Sequence, residues 1–460
     1  MVDVPEEARE KWSGSLGFIL AAVGSAVGLG NIWRFPYITG EYGGGAFVLI
    51  YLGCIVVVGL PLMIAEMKIG RRTDRGPVGA FAKLAKESAG GSNWKVFGFL
   101  AILTGFILLS YYSVVGGWAV AYSLKALYGE LVVGSSQEVG AIFGSYIGDP
   151  VQSTMSHALF MIAAIGIVHG GISDGIERAA KILMPTFGVL LLVLLGYSLT
   201  TSGAGQAFEF MFSPNWGSVS VDSVLEAMGQ SFFTLSLGMG AIMVYGSYLG
   251  DEESLYKASF SVAFFDTFVA VAAGVVMFSI IFSQGADPAQ GAGLAFKVMP
   301  VLFAKMPGGA YVAVAFFLLL TFAAITSAMS LLEVVVSYFV EEMDMEREKA
   351  VVWFGILIFF VGIPSVLGFN LWSDVTVHLG GEEKNVLSVL DYFVVNFALP
   401  LGGLGAALYA GWAVDPGEWV DEIEGDELAE MLITGWSWLV RIVAPAAVVL
   451  IILYKVGLLG

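Results

Sequence analysis

Two short stretches carry the residues best placed to do chemistry. Ala26-Val27-Gly28-Leu29-Gly30 and Ser236-Leu237-Gly238-Met239-Gly240 share the order small–apolar–Gly–apolar–Gly, and they lie 210 residues apart. Each interrupts an apolar run near its middle. A helix broken inside a bilayer frees N–H and C=O groups that are expensive in hydrocarbon unless something satisfies them. The N–H ends of half-helices carry partial positive charge and suit a carboxylate, while loosened carbonyls suit a small hard cation such as Na⁺. Glycines at this spacing also serve close helix packing.

Polar residues inside apolar runs are the second signal, because each is costly in lipid and marks an ion or substrate path. Arg34 follows the first break by one turn and Asp391 lies in a late apolar run; together they read as the buried ion pair of an external gate. Glu66, Asp266 and the neighbours Tyr111 and Tyr112 are likewise embedded. Thr326 and Ser327 sit side by side within Ala323-Ala-Ile-Thr-Ser-Ala. Adjacent hydroxyls on a helix bond back to carbonyls four residues earlier, or they donate oxygen to a dehydrated cation.

The elements that must position these groups follow from composition. The chain has 460 residues, of which 57% are hydrophobic and 13% charged, and its mean hydropathy is +0.83. Soluble domains carry roughly twice that charged fraction, so a soluble enzyme is excluded. The net charge of −18 argues against nucleic acid. Apolar runs of about 20 residues span a bilayer core. Eleven are expected, near 14–38, 43–70, 96–127, 154–170, 180–200, 222–249, 258–283, 309–340, 350–368, 385–412 and 434–456. The fold class is therefore an all-α integral membrane protein embedded in the lipid bilayer.

Topology follows the lysines and arginines. Seven fall between Lys68 and Lys95, and Arg178, Lys181, Lys257, Arg347 and Lys349 add five, whereas 128–153 and 201–221 hold none. Odd-numbered spans then run from inside to outside, which obeys the positive-inside rule. The N-terminus is cytoplasmic and the C-terminus extracellular, in a multi-pass protein of the cell membrane. The loop 413–433 has eight acids and no base, but acids count little in that rule. The polar N-terminal stretch reads as lacking a cleaved signal peptide. Loop 285–308 reads either as a short helix folding over a vestibule or as plain surface. One cysteine, Cys54, excludes an intrachain disulfide, and His157, His169 and His378 have no metal-site spacing and read as loop or helix-end residues.

Five spans separate the two breaks, so the second copy enters the membrane upside down. Paired glycine-interrupted segments in two inverted halves point to the binding site of a secondary transporter. The chain divides into a cytoplasmic segment 1–13, a first repeat 14–200, a second repeat 222–412, the acidic loop 413–433 and a last span 434–460.

The residues also resemble a known family. Gly24-Ser-Ala-Val-Gly-Leu-Gly-Asn-Ile-Trp-Arg-Phe-Pro36, Gly43-Gly-Gly-Ala-Phe47 and Pro61-Leu-Met are similar to the neurotransmitter:sodium symporters. So are Gln230-Ser-Phe-Phe-Thr-Leu-Ser-Leu-Gly-Met-Gly240, Thr326-Ser327 and Asp391. The prokaryotic eleven-span amino-acid transporters resemble it most. The resemblance implies a LeuT-type 5+5 inverted repeat with helices 1 and 6 broken, and a cargo of Na⁺, two ions, with an amino acid. The first sodium site would use Ala26, Asn31, Thr234, Asp266 and the substrate carboxylate. The second would use Gly24, Val27, Ala323, Thr326 and Ser327. The carboxylate would meet the N–H groups of Leu29 and Gly30 and the Tyr112 hydroxyl; the amino group would meet carbonyls of Ala26, Phe233 and Ser236. Ser25, Val27, Leu108, Met239, Ser327 and Leu331 would form the side-chain pocket, lidded by Tyr112 and Phe233. Arg34 and Asp391 would close outside, and Arg9 and Trp12 would close inside against Ser247, Tyr248 and Glu341.

Departures from the family pattern sharpen this. Gly28 stands where animal monoamine carriers have aspartate, which favours an amino acid over an amine. Asp266 stands where many relatives have asparagine and would supply permanently the negative charge that chloride supplies elsewhere, so no chloride is expected. Met239 is deformable, and with Leu108 and Leu331 it suggests large hydrophobic or aromatic substrates: Trp, Phe, Tyr, Leu or Met. The twelfth span of many relatives is missing, and with it any dimer built on that span, which leaves a monomer open. A proton-coupled carrier of the same architecture, using Asp266 or Glu66, is the alternative, as is a transport-dead amino-acid sensor. A channel lacks support because no charged ring lines one pore. No nucleophile–base pair, phosphate loop or metal cluster suggests an enzyme.

Overall fold

The structure is a computed structural model that describes residues 10–87, 91–131, 136–250, 253–289, 293–413 and 434–458. Arg9 and nearly all of the acidic loop 413–433 lie outside the described residues. Among the described residues, nine continuous helices are long and apolar enough to cross a membrane: Gly45–Thr73, Lys95–Leu127, Pro150–His169, Ile172–Ser198, Leu255–Ser283, Gly309–Met343, Arg347–Leu367, Val386–Ala413 and Thr434–Lys455. The pair Ser15–Ala26 and Gly30–Glu41, bent by 46°, makes a tenth. The segment expected as the sixth span forms Val221–Thr234 and Ala241–Ser247, at 14 and 7 residues too short singly to cross. Every expected apolar run is helical. For convenience these are numbered spans 1 to 11 in chain order, the halves of spans 1 and 6 counting as one each.

Burial separates core from periphery. In spans 7 and 8, 72% of the apolar window is buried within the protein, against 28–39% in spans 4, 5, 9 and 11, whose remaining faces meet lipid. Span 8 packs along span 3, and the second half of span 6, Ala241–Ser247, along span 2. Helix starts follow local chemistry. Asp149 precedes Pro150 and accepts from Val151 N at 2.9 Å and Gln152 N at 3.1 Å. The Gln152 N–H above all holds the Asp149 carboxyl below its ordinary range. Ser220 and Ser223 cap the outer half of span 6 reciprocally.

One expectation is corrected, one open alternative is decided and one element is new. His157 is neither in a loop nor at a helix end: it is fully buried within span 4, with Nε2 3.1 Å from the Phe359 carbonyl. Loop 285–308 contains the short helix Leu294–Ala304. Between spans 9 and 10, Val377–Leu379 and Glu382–Lys384 pair as a small antiparallel hairpin that the sequence reading did not foresee.

The breaks depend on close backbone approach. Span 1 stops where Val27 turns extended (φ −71°, ψ 103°) and resumes through a π-helical turn, Gly30–Arg34. Span 6 unwinds through positive φ at Ser236 (55°), Gly238 (77°) and Gly240 (81°), a region that penalises side chains with a Cβ. A Cβ on Gly238 would lie 1.9 Å from the Leu399 carbonyl oxygen, and one on Gly402 1.9 Å from the Gly238 oxygen. The unwound strand of span 6 thus lies directly against the backbone of span 10. Gly402→Ala should therefore cost about 3 kcal/mol, since backbone cannot give way as a flexible side chain does. Gly144→Ala, whose Cβ meets nothing within 4 Å, should be neutral or stabilising by about 0.5 kcal/mol. Thermal unfolding in detergent checks both; equal midpoints would show that the contact does not matter.

Candidate functional site

The two breaks face each other, and one small cavity lies between them. It is lined by Ser25, Ala26, Gly28, Leu29, Gly30, Leu108, Tyr112, Phe233, Ser236, Met239, Ser327 and Leu331 and measures about 20 Å³. Of the expected substrate-pocket residues only Val27 is absent from this lining; Thr234, expected as an ion ligand, is absent as well, and Gly28 is added. Gly28 leaves space there: an added Cβ would come within 2.5 Å of Ser327 Oγ and 2.9 Å of Tyr112 Oη, so both side chains would have to shift.

Broken-span backbone groups are met one by one. Leu29 N donates to the Tyr112 hydroxyl at 3.3 Å. Gly28 N donates to Asn31 Oδ1 at 2.9 Å, and Gly238 N donates to Glu66 Oε1 at 2.8 Å. Ser236 Oγ donates to the Ser25 carbonyl at 2.9 Å, joining one break to the other. Ser25 Oγ in turn donates to Ser330 Oγ at 2.8 Å.

Beside the cavity, Asp266 of span 7 is fully buried. Its carboxylate accepts from Asn31 Nδ2 at 2.7 Å and lies 3.0 Å, through both oxygens, from the Thr234 hydroxyl. Asn31 Nδ2 also lies 3.0 Å from Thr234 Oγ1. A buried carboxylate ringed by neutral oxygen and amide groups is chemically a cation-binding set lacking a positive side chain. On the other side, Ser327 Oγ lies 3.2 Å from the Ser25 carbonyl, 3.3 Å from that of Ala323 and 3.5 Å from that of Val27. Thr326 Oγ1 bonds back to Phe322 and Ala323, each at 3.0 Å. Gly24 lies close enough that an added Cβ would sit 3.2 Å from Thr326 Cβ. The structure thus brings Asn31, Thr234 and Asp266 together on one side, and Gly24, Val27, Ala323, Thr326 and Ser327 on the other.

Outside the cavity Phe233 packs over Gly30, and the Arg34 guanidinium carbon sits 5.6 Å from the Phe233 ring centre. The expected direct ion pair of Arg34 with Asp391 is not made. Arg34 instead bonds Gln230 Oε1 at 2.6 Å and Glu226 Oε2 at 3.2 Å, and Asp391 Oδ1 accepts from Tyr111 at 3.1 Å. The reason is proximity along the two outer half-helices: Glu226 and Gln230 are one turn apart on span 6 and both reach span 1.

Inside, Trp12 is buried, donates Nε1 to the Tyr245 carbonyl at 3.1 Å and meets Phe18, Tyr245 and Tyr248 edge-on. Among the described residues the Ser247 hydroxyl bonds within its own helix, to the Val244 carbonyl. Glu341 accepts from Gly76 N at 2.7 Å. Tyr248 donates to Glu333 Oε1 at 2.8 Å, and Glu333 is paired with Arg347. Glu333 was missed in the sequence although it carries the same signal as Glu66, an acid inside an apolar run. Glu177, which takes Ser13 N at 2.9 Å and Lys181, gave no such signal, because it sits among polar residues.

Comparison with known proteins decides the kind of molecule. The sequence profile described as the sodium:neurotransmitter symporter family matches residues 9–141 and 136–458. The chain belongs to this family. It is 35% identical to the uncharacterized sodium-dependent transporter YhdH of Bacillus subtilis over 99% of both chains. It is 32% identical to an uncharacterized sodium-dependent transporter of Methanocaldococcus jannaschii, over 95% of this chain and 88% of the other. The solved structure of MhsT in complex with L-phenylalanine superposes with a TM-score of 0.89 at 43% identity, covering 97% of this chain and all of MhsT. This symporter is thus a sodium-dependent, multi-pass membrane transporter of LeuT-type fold and not an enzyme.

The Asp266 cluster permits a direct test. Thr234→Val removes the one hydroxyl that serves both carboxylate oxygens, and an under-satisfied buried acceptor costs about 1–3 kcal/mol. Thermal unfolding of the variant in sodium-free detergent should fall accordingly; an unchanged midpoint would mean the hydroxyl carries no load.

Proposed function

We propose that this symporter imports large hydrophobic and aromatic L-amino acids together with two Na⁺ by alternating access, without chloride. The observation that carries the reading is the meeting of the Leu29 N–H with the Tyr112 hydroxyl above Gly28. A substrate carboxylate entering there would take both donors at the positive end of a half-helix, in the space that an aspartate at 28 would fill. The bound L-phenylalanine of MhsT supports the substrate class. Leu108, Met239 and Leu331 offer an apolar, deformable end for the side chain. At about 20 Å³ the cavity has no room for such a side chain as it stands, so the lid residue Phe233 and the pocket wall must yield as substrate enters.

Each ion has its set. The first Na⁺ would take oxygens from Ala26, Asn31, Thr234 and Asp266 and one from the substrate carboxylate, the Asn31 amide turning Oδ1 toward the ion. The second would take carbonyls of Gly24, Val27 and Ala323 with the hydroxyls of Thr326 and Ser327. Because the substrate is itself a ligand of the first ion, each tightens the other's binding reciprocally. Every Na⁺ entering down 100 mV contributes ~2.3 kcal/mol, so two ions concentrate substrate roughly a thousandfold from voltage alone. With the N-terminus cytoplasmic, the Arg34 end faces outward and Trp12 closes the cytoplasmic end. All residues in these sets come from one chain, so a monomer suffices for the site.

Uptake of radiolabelled tryptophan, phenylalanine and leucine into proteoliposomes tests the proposal. An inward Na⁺ gradient should drive accumulation that a K⁺ gradient does not, with equal rates in chloride and gluconate. Sodium-dependent binding without uptake would turn the reading to a sensor, and uptake following a pH gradient would turn it to a proton-coupled carrier. Thr326→Ala should raise the Na⁺ concentration for half-maximal uptake about tenfold, the effect of losing one ion ligand worth ~1.4 kcal/mol; an unchanged value would sink the second site. Asp266→Asn should make uptake require chloride. Activity lost in both anions would count against the charge-substitution role of Asp266.

A further inference from the structure

Glu226 is shared between two cations. Its Oε2 lies 3.2 Å from Arg34 on the outer half of span 1, and its Oε1 lies 3.0 Å from Lys455 at the end of span 11. All three side chains are largely withdrawn from solvent, at 8%, 19% and 16% exposure for Arg34, Glu226 and Lys455. Arg34 continues the chain inward: its other terminal nitrogen bonds Gln230, whose amide donates to the Gly30 carbonyl at 2.9 Å. A connected set of polar contacts therefore runs from span 11, which lies outside both repeats, to the first break. Arg34 Nε has no hydrogen-bond partner among the described residues. Asp391 is held there only by Tyr111.

We infer that Lys455 is a positioning residue of the outer gate, setting how strongly Glu226 withholds Arg34 from Asp391. A carboxylate that already shares its charge with Lys455 holds Arg34 through one oxygen. Without Lys455 both oxygens turn to the guanidinium, whose planar fork suits a bidentate pair, and Arg34 stays on span 6. Without Glu226 the guanidinium is released to Asp391 across the vestibule. The inference rests on the proposed transport cycle only for the meaning of opening and closing at this end.

The two substitutions should therefore act with opposite sign, whereas a simple strut between spans 6 and 11 is broken by either and should give the same sign. The probe is Val395→Cys in a Cys54→Ala background. Val395 is buried on span 10, with Cγ1 3.8 Å from where a Cβ on Gly229 of span 6 would lie, so it becomes reachable when the outer halves part. Labelling by a membrane-impermeant methanethiosulfonate is followed in proteoliposomes with Na⁺ and no amino acid, so an error in the substrate assignment leaves the result unaffected. Lys455→Met should speed labelling about threefold and Glu226→Gln slow it about threefold, the scale of a partly exposed ion pair. Lys455→Arg should restore the parent rate, and the double variant should behave as Glu226→Gln alone. Shifts of the same sign, no shift in either variant, or failure of Lys455→Arg to restore the rate would overturn the inference. Should Lys455→Met not fold, Lys455→Gln gives the same comparison.

Discussion

A backbone broken inside a bilayer has no water to turn to, and that constraint organises this protein. The N–H and C=O groups freed at Val27–Leu29 and Leu235–Gly240 must be satisfied by protein or by cargo. Tyr112, Asn31 and Glu66 meet three of the N–H groups, and the Ser236 and Ser327 hydroxyls meet the Ser25 carbonyl. Those partners come from spans 1, 2, 3, 6 and 8, so the requirement to satisfy two short unwound segments fixes the packing of the bundle's centre. It also explains the glycines. Gly238 and Gly402 let two backbones touch, and Gly28 leaves space beside Ser327 and Tyr112.

The same constraint makes the site functional. Groups that satisfy one another at the two breaks are the groups that would receive the proposed cargo. The phenol of Tyr112 and the N–H of Leu29 suit a carboxylate better than each other, and the Asp266 carboxylate, surrounded by neutral donors, is fully buried in the centre with no cationic side chain hydrogen-bonded to it among the described residues. A buried charge in that condition costs stability unless paired, and in the proposed function an entering cation would supply the pairing.

Closure at the two ends follows different chemistry. The Trp12 end is closed by an aromatic body, Trp12 against Phe18, Tyr245 and Tyr248, with Glu333 and Arg347 fixing Tyr248 from behind. The Arg34 end is closed by charge, with Arg34, Glu226 and Lys455 in line. An aromatic plug is set by shape, whereas an ionic one depends on which of several carboxylates holds the guanidinium. Partner exchange at low geometric cost is therefore available at the Arg34 end.

Much of this was legible in the sequence because bilayer physics is one-dimensional. Spanning length, glycine interruption and intramembrane charge are each written locally, so the apolar spans, both breaks, Asp266 and the Thr326–Ser327 pair could be read from the chain, and the inverted relation of the halves followed from counting spans. What the sequence could not supply was partner choice. Arg34 was assigned to Asp391 because both stood out as embedded charges, yet Glu226 and Gln230, at the edge of an apolar run and unremarkable there, are the residues that span 6 brings alongside it. His157 looked like a helix-end residue until spans 3 and 9 closed around it. Lys455, near the end of the chain, acquires its meaning only where span 11 folds back against span 6. Sequence determined which groups are too costly to sit in lipid without a reason; only tertiary packing, which brings together residues some 200 positions apart, decided which of them satisfy each other.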